Sequence, residues 1–344
     1  MSHAVERIWA RDGLGARALL PLAWLYGVVT AVRNLAYDLG VFRSHPLGLP
    51  SISIGNLTVG GTGKTPVASW VAQRLIARGL RPAIVLRGYG NDEPLVHARL
   101  TPGAVVVVDP DRVRGAATAR AQGAQVLVLD DAFQHRRARR DVDLVLVAAE
   151  QGGPTRLLPA GPSREGPRSL RRAQAVVVTR KTADLGTAES VLRQHVAEAP
   201  TVVQAVVALA PDGLVRVAGA GFAGSDDAPP ALPLGALDGA RVLASSAIGA
   251  PAAFEAQMAA LGARVTSADF DDHHAFTAAD VTGLTSRATG QDLIVCTLKD
   301  AVKLAPLWPR GGVALWYLSQ AVTVERGAEA LDALLERLVT ASRS

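Results

Sequence analysis

The sequence has little of several residue types, and each shortage excludes a class of protein. The single cysteine, Cys296, excludes an intramolecular disulfide framework and a cysteine-rich metal site, which fits a reducing compartment. Aromatic residues make up only 4% of the 344 residues, so there is little material for stacking on bases. A net charge of +5 would suit nucleic acid, an anionic membrane or an anionic substrate. Because no nucleic-acid recognition motif is present, nucleic acid is the weaker hypothesis.

Lysine is also scarce, because it occurs only at positions 64, 181, 299 and 303 while arginine supplies the other basic residues. Lys64 lies in a glycine-rich stretch between an apolar run, predicted as a strand, and an amphipathic helix that starts near Pro66. Glycines let backbone N–H groups surround a polyphosphate, and the helix N-terminus adds the positive end of its dipole. A glycine-rich turn before an ordinary helix is the alternative. The pattern predicts a nucleotide-phosphate loop, although Thr58 replaces its usual first glycine. The loop residues are Thr58, Val59, Gly60, Gly61, Thr62, Gly63, Lys64 and Thr65.

Beyond this helix, short apolar runs alternate with helical or turn segments. The runs at 83–86, 104–108, 126–129, 143–147 and 175–179 are nearly all apolar, as in strands buried on both faces of a parallel sheet. We therefore predict an α/β fold of the P-loop NTPase type, with a mostly parallel sheet, helices on both faces and a smaller C-terminal α/β domain. The predicted boundaries are an N-terminal apolar region at 1–45, a P-loop core at 46–209, a Pro- and Gly-rich linker at 210–240 and the C-terminal domain at 241–344.

The N-terminal region contains an uncharged stretch at 18–32 that arginines flank on both sides. It is shorter than the roughly 20 residues that span a bilayer, and Pro21 and Gly27 interrupt it. No convincing signal-peptide pattern is present. We expect an amphipathic helix that lies in a membrane interface, with a helix packed on the protein's own core as the alternative.

Acidic residues follow two of the predicted strands. Asp130 and Asp131 come at the end of a strand, where a P-loop fold places the carboxylates that hold Mg²⁺, although paired acids also occur in ordinary turns. Asp92 and Glu93 lie on a turn after the second strand, where a carboxylate could accept a hydroxyl proton. A solvated acidic loop is the alternative for this second pair.

Two further clusters contain charged residues. A Pro- and Gly-rich loop carries Arg164 and Glu165 with several more arginines, whose guanidinium groups bind phosphate bidentately. The segment 270–276 places Asp271, Asp272, His273 and His274 side by side. Zinc is conceivable there, but no companion ligand cluster exists. A histidine that is polarised by a carboxylate and supports proton transfer is the favoured interpretation.

Taken in order, these elements resemble the tetraacyldisaccharide 4'-kinases, the lipid A 4'-kinases of outer-membrane biogenesis, over nearly the whole chain. The family's own version of the phosphate loop has the glycine arrangement seen here. The matching elements are GNLTVGGTGKTP (55–66), RGYG (87–90), DEP (92–94), DPDR (109–112), DDAFQH (130–135), LLPAGPSRE (157–165), DHHAF (272–276) and TLKDAVKL (297–304).

The resemblance implies an ATP-dependent lipid kinase. Its reaction would transfer the γ-phosphate of ATP to the 4'-hydroxyl of tetraacyldisaccharide 1-phosphate, giving lipid IVA in lipid A and lipopolysaccharide biosynthesis. ATP and Mg²⁺ are the implied cofactors. The implied site residues are Asp92 as the base supported by His273, Lys64 and Thr65 on phosphate and Mg²⁺, Asp130 and Asp131 on the metal, and Arg112, Arg164, Glu165, Gln134 and His135 around the substrate and its phosphates.

The resemblance also implies a location on the cytoplasmic face of the inner membrane, peripheral or monotopic, with the acylated disaccharide as partner. It implies neither nucleic acid nor an obligate protein partner. By the predicted boundaries, Asp92 and His273 belong to different domains, so closure of a cleft would bring them together.

The chain departs from the family pattern at three points. The segment between RGYG and DEP is short, Ala247-Ile248 takes the place of a Gly-Ile element, and Ala132 takes the place of a glycine. Two other classes of protein share the phosphate loop and stay open at this point: a P-loop switch or metal-delivery NTPase, and a basic nucleic-acid-associated ATPase.

Overall fold

The computed structural model describes residues 9, 14–88, 92–153, 155–197, 199–217, 231–249, 251–309 and 311–343. The strands are β1 (His45–Pro46), β2 (Ser51–Asn56), β3 (Pro82–Leu86), β4 (Val105–Val108), β5 (Val126–Asp130), β6 (Ala138–Arg139), β7 (Val142–Ala148), β8 (Ala175–Arg180), β9 (Val203–Arg216), β10 (Ala231–Leu232), β11 (Arg241–Ser246), β12 (Arg264–Asp269), β13 (Leu293–Cys296) and β14 (Leu315–Arg326).

The α-helices alternate with these strands, and short 3₁₀ helices lie at Ala149–Gln151, Pro167–Arg172 and Leu234–Leu237. The α-helices are α1 (Leu14–Ala18), α2 (Leu20–Asp38), α3 (Lys64–Ile76), α4 (Glu93–Leu100), α5 (Arg112–Ala121), α6 (Leu185–Val196), α7 (Pro251–Ala259), α8 (Ala278–Arg287), α9 (Leu298–Leu304) and α10 (Ala328–Arg343).

The chain divides into two compact units. The first comprises Met1–Gly88, Gly103–Leu209 and Val322–Ser344, and the second comprises Tyr89–Pro102 and Ala210–Ala321. The boundary after Leu209 coincides with the predicted end of the P-loop core, but it falls inside β9 rather than at the start of a linker. Two helices also lie in a different unit from the one predicted. Helix α4 belongs to the second unit, and helix α10 belongs to the first.

Apolar packing explains the position of both helices. Val96 and Leu100 of α4 pack into a core cluster of the second unit with residues of α8 and α9. Leu331, Leu334, Leu335, Leu338 and Val339 of α10 complete a cluster of the first unit that also contains β2 and α3. Each helix buries its apolar stripe where a matching sheet face exists, which sequence order alone does not specify.

In the first unit, the strands run in the order β9, β8, β7, β2, β5, β3, β4, and each neighbouring pair is parallel. Alternate residues of these strands face opposite sides of the sheet. Ile84 of β3 packs with the α3 cluster, while Ala83 and Val85 pack with the α5 cluster. The sheet is therefore covered on both faces, as the apolar runs predict.

In the second unit, the strand order is β12, β11, β13, β14, β9, and the pairs from β12 to β14 are parallel. The short strand β10 adds to β9 in the antiparallel direction. Helix α7 contributes Phe254 and Met258 to one core cluster, and helices α8 and α9 contribute to the other. The α/β class predicted for both parts of the chain is confirmed.

Helix α2 occupies most of the uncharged N-terminal stretch. Only Ala23 is buried along its 19 residues, while Leu22, Trp24, Leu25, Val29 and Val32 are each more than half exposed. Among the described residues, the structure contains no helix long and apolar enough to cross a membrane.

Candidate active site

The phosphate loop joins β2 to α3 in the first unit. Gly63 caps α3 with φ 80° and ψ 24°, a left-handed conformation that glycine adopts without strain. A Cβ atom there would lie 2.4 Å from Cδ1 of Leu209. Inside the loop, Asn56 donates to the Thr62 hydroxyl at 2.9 Å, and the Thr179 hydroxyl donates to the Thr62 carbonyl at 2.9 Å. The loop backbone is therefore held in shape by the protein itself, which favours binding of a phosphate chain.

Thr58, the residue that replaces the usual first glycine, has a structural contact of its own. Its hydroxyl donates to Oε1 of Gln151 at 2.8 Å. The next residue, Val59, donates its N–H to the carbonyl of Pro162 at 2.8 Å. The outer side of the phosphate loop is thus attached to the loop that carries Arg164.

Three of the predicted site residues meet around one carboxylate. Asp131 accepts from Nη1 of Arg164 at 2.9 and 3.1 Å, and Nζ of Lys64 lies 3.8 Å from its Oδ1. Asp131 has φ 49°, which aspartate tolerates better than most residues. The positive φ falls at Asp131 and not at Ala132, so alanine in place of the family's glycine is accommodated without strain. Asp130 precedes it at the end of β5 and is 4% exposed.

Arg112 contacts the backbone beside this acidic pair. It is 2% exposed, and its two Nη atoms donate to the carbonyls of Asp109 and Asp130, each at 3.0 Å. Burial lowers the pKa of Arg112 from its usual value, and the nearby carboxylates of Asp130 and Asp131 oppose that shift. In this structure the guanidinium fixes the end of β5, and its binding to phosphate stays a prediction.

The other residues of this group are also held by the protein. Glu165 is 3% exposed and accepts from Arg172 at 3.0 Å and from Asn34 at 2.9 Å. Gln134 donates to the carbonyl of Asn56 at 2.9 Å, next to the phosphate loop. Burial, aided by the charge of Arg112, lowers the pKa of His135 to about 4. His135 is therefore neutral at pH 7 and adds no positive charge to the site.

Helix α2 also contacts the site, a role that the sequence analysis did not assign to it. Tyr26 donates its hydroxyl to the carbonyl of Arg164 at 3.0 Å, Asn34 donates to Glu165, and Arg33 donates to the carbonyl of Gln134 at 2.9 Å. These polar residues recur at helical spacing in an otherwise apolar stretch, and that spacing was the available signal.

Asp92 and His273 lie together in the second unit. Nδ1 of His273 is 4.0 Å from Oδ2 of Asp92, and its Nε2 is 3.9 Å from Oδ1 of Asp272. Asp92 is 3% exposed at the start of α4, whereas the His273 side chain is 58% exposed. The expectation that Asp92 and His273 belong to different domains is wrong, because α4 packs into the core of the second unit. The pair is formed without any closure.

Among the residues that the structure describes, there is no group of three or more His, Cys, Asp or Glu side chains that could hold a metal ion. Mg²⁺ does not require such a group, because it is usually held by one or two carboxylates together with the phosphates of the nucleotide.

A glycine-rich loop before a helix, with a parallel sheet and paired acids at the end of the adjacent strand, defines a P-loop nucleotide-binding protein. Within that class the family is specific. The model of the LpxK family, described as tetraacyldisaccharide-1-P 4'-kinase, matches residues 15–92 and 91–340, so the chain belongs to this family. The two matched segments overlap at 91–92.

Individual relatives agree with the family model. The chain is 38% identical to the tetraacyldisaccharide 4'-kinase of Anaeromyxobacter dehalogenans strain 2CP-C, with 96% of this chain and 94% of the relative covered. It is 37% identical to that of Aromatoleum aromaticum, with 89% and 90% covered. Among solved structures, LpxK from Aquifex aeolicus in complex with ATP is similar, with 27% identity, a TM-score of 0.71 and coverage of 94% of this chain and 99% of that one. The kinase class is thus favoured over the switch and nucleic-acid ATPase classes.

Proposed function

We propose that this protein transfers the γ-phosphate of ATP to the 4'-hydroxyl of tetraacyldisaccharide 1-phosphate, giving the bis-phosphorylated lipid A precursor. Membership in the 4'-kinase family supports the reaction. The structural observation that carries the proposal is the buried carboxylate of Asp92, 4.0 Å from His273, in a chain that also has a preformed phosphate loop.

The first unit supplies the groups that neutralise phosphate charge. Backbone N–H groups of the loop and the N-terminus of α3 would bind the phosphates, and Lys64 and Arg164 add positive charge beside Asp131. Thr65, Asp130 and Asp131 are oxygen donors of the kind that Mg²⁺ prefers, and they would hold this ion, which neutralises charge on the β- and γ-phosphates. Because the loop backbone and the charged side chains are held in place before ATP binds, little reorganisation is needed during transfer.

The second unit supplies the proton acceptor. A sugar hydroxyl has a high pKa, so it needs a base aligned at hydrogen-bond distance as the phosphoryl group is transferred. Asp92 takes the hydroxyl proton, and His273 orients the carboxylate and stabilises its charge. Burial of Asp92 limits the access of bulk water to the carboxylate.

A transfer assay tests this assignment. Tetraacyldisaccharide 1-phosphate in mixed micelles is incubated with γ-labelled ATP, and Asp92→Asn is compared with Lys64→Met and the unchanged protein. We expect Asp92→Asn to lower kcat by about 10²- to 10⁴-fold, the usual contribution of a positioned base, with ATP affinity nearly unchanged. Lys64→Met should weaken ATP binding as well. Near-normal turnover in Asp92→Asn would remove Asp92 as the base.

We also propose that the protein works at the cytoplasmic face of the inner membrane, attached through helix α2. Tyr26 and Asn34 of α2 donate hydrogen bonds to the loop at Arg164 and Glu165, while the side chains of Trp24, Leu25 and Val29 are exposed. An exposed apolar stripe of this kind suits a helix lying in a membrane interface. An acylated substrate stays in the membrane, so this attachment would hold the site next to it.

Vesicle binding tests the attachment. Trp24, Leu25, Val29 and Val32 are changed together to serine, and co-sedimentation with vesicles of phosphatidylethanolamine and phosphatidylglycerol is measured. Leu307→Ser with Val313→Ser is the matched control, because both residues are exposed and apolar but lie in the second unit. We expect the α2 variant to stay in solution with ATP affinity unchanged, and the control to bind vesicles normally. Equal sedimentation of both variants would show that α2 is not the anchor.

A further inference from the structure

The element TLKDAVKL gained no defined role from the sequence, yet it contains a charged pair in the interior of the second unit. Asp300 in α9 is completely buried, and Nζ of Lys303, one turn later, lies 3.1 Å from its Oδ1. Desolvation makes a buried ion pair a poor source of stability, and the best-attested use of such pairs is to fix one arrangement of the chain. Each of the two side chains holds a different segment of this unit.

Asp300 holds the chain that follows strand β11. Its Oδ2 accepts from the N–H of Ala247 at 3.1 Å and from the hydroxyl of Thr297 at 2.7 Å. The carbonyl of the same Ala247 accepts from the N–H of His273 at 3.2 Å. A single residue, Ala247, thus links the buried carboxylate to the backbone of His273.

Lys303 holds the segment that follows His273. Its Nζ donates to the carbonyl of His274 at 3.3 Å and lies 5.2 Å from the centre of the Phe276 ring. The ring of His274 stacks on Phe270, with centroids 4.9 Å apart. Lys303 therefore contacts the turn at 273–276 directly, and Asp300 is linked to it through Ala247.

This turn needs such support because His273 has an unfavourable backbone conformation. Its φ is 62°. For a residue with a side chain this conformation costs free energy, which the surrounding structure must supply. The imidazole itself is largely exposed, and the carboxylates of Asp92 and Asp272 lie only at 4.0 and 3.9 Å. Packing does not fix this ring, so the backbone decides where it points.

We propose that Asp300 and Lys303 are positioning residues for phosphoryl transfer, which act by holding His273 in its strained conformation beside Asp92. The inference rests on the proposed kinase function. Neither residue touches the reacting groups, so removal of the pair should impair only the contribution of His273 to catalysis.

A double-mutant cycle tests this link. The pair is neutralised by Asp300→Asn with Lys303→Met, which avoids leaving one buried charge alone, and the change is made both in the unaltered protein and in His273→Ala. We expect kcat to fall by about 10- to 100-fold in the unaltered protein, as a displaced catalytic group would cause, but by less than about twofold in His273→Ala. The KM for ATP should stay the same in all four proteins.

The matched control is Arg241→Met with Asp292→Asn, which removes an exposed ion pair of 2.8 Å from the same unit and should leave kcat unchanged. An equal fall in kcat with and without His273 would overturn the inference, because the pair would then act independently of that residue. If the neutral pair does not fold, as judged by thermal unfolding, Lys303→Arg is taken through the same cycle with the same criterion. Absence of transfer by the unaltered protein would instead contradict the proposed function.

Discussion

His135 is expected to make the stability of the first unit depend on pH. Burial lowers its pKa from 6.5 to about 4, and the positive charge of Arg112 acts in the same direction. In the unfolded chain this histidine takes up a proton as the pH falls through 6.5, but the folded protein resists protonation until about pH 4. Protons therefore favour the unfolded chain, so the contribution is intact above pH 6.5 and is lost progressively between the two values.

The size of the effect follows from the two pKa values. Linkage predicts a loss of about 2 kcal/mol in the free energy of unfolding when the pH falls from 7.5 to 5.0, rising to about 3 kcal/mol near pH 4. Glutamine does not titrate. Over the same pH range, the free energy of unfolding of His135→Gln should therefore fall by about 2 kcal/mol less than that of the unaltered protein. His195, whose pKa burial also lowers, is present in both proteins, so the difference between them isolates His135.

Urea unfolding at pH 7.5 and 5.0, followed by tryptophan fluorescence, measures the difference. NMR titration of the histidine side chains measures the pKa directly, with His135→Gln identifying the resonance. An imidazole that titrates near 6.5, or an equal loss of stability in both proteins, would refute the argument. In the first case His135 would be partly charged near neutral pH and would take part in the electrostatics of the phosphate site.

Three further changes in the first unit have defined outcomes. Gly63→Ala places a Cβ at φ 80° in the phosphate loop, so ATP binding measured by calorimetry should weaken about tenfold or more; unchanged affinity would mean that the loop relaxes. Arg164→Ala removes the guanidinium 2.9 Å from Asp131, and the transfer assay should show kcat about 100-fold lower, a result that normal turnover would contradict. Arg140→Leu leaves the buried Asp143 unpaired and should destabilise the protein by about 3–5 kcal/mol in urea unfolding, with equal midpoints as the contrary outcome.

The phosphate site was largely predictable because its residues are close in sequence or follow directly from strand order. The loop at 58–65 is a local pattern with a local mechanism. Asp131 and Arg164 come from different segments, but a parallel sheet brings the ends of neighbouring strands to the same edge, so an acid after β5 was expected near a loop after β2. The contacts of Arg112 were not foreseen, because a motif does not show whether an arginine faces phosphate or backbone carbonyls.

The sequence alone determined the class of fold, since buried parallel strands, a phosphate loop and helical periodicity each have a local signature. It also determined the family, through short motifs whose spacing is specific. Only the tertiary structure decided that α4 leaves the first unit and brings Asp92 to His273, and that α2 and α9 support residues far from them in sequence. The physical reason is that an apolar helix face is satisfied by any complementary core, so the choice between two cores depends on packing that no local pattern records.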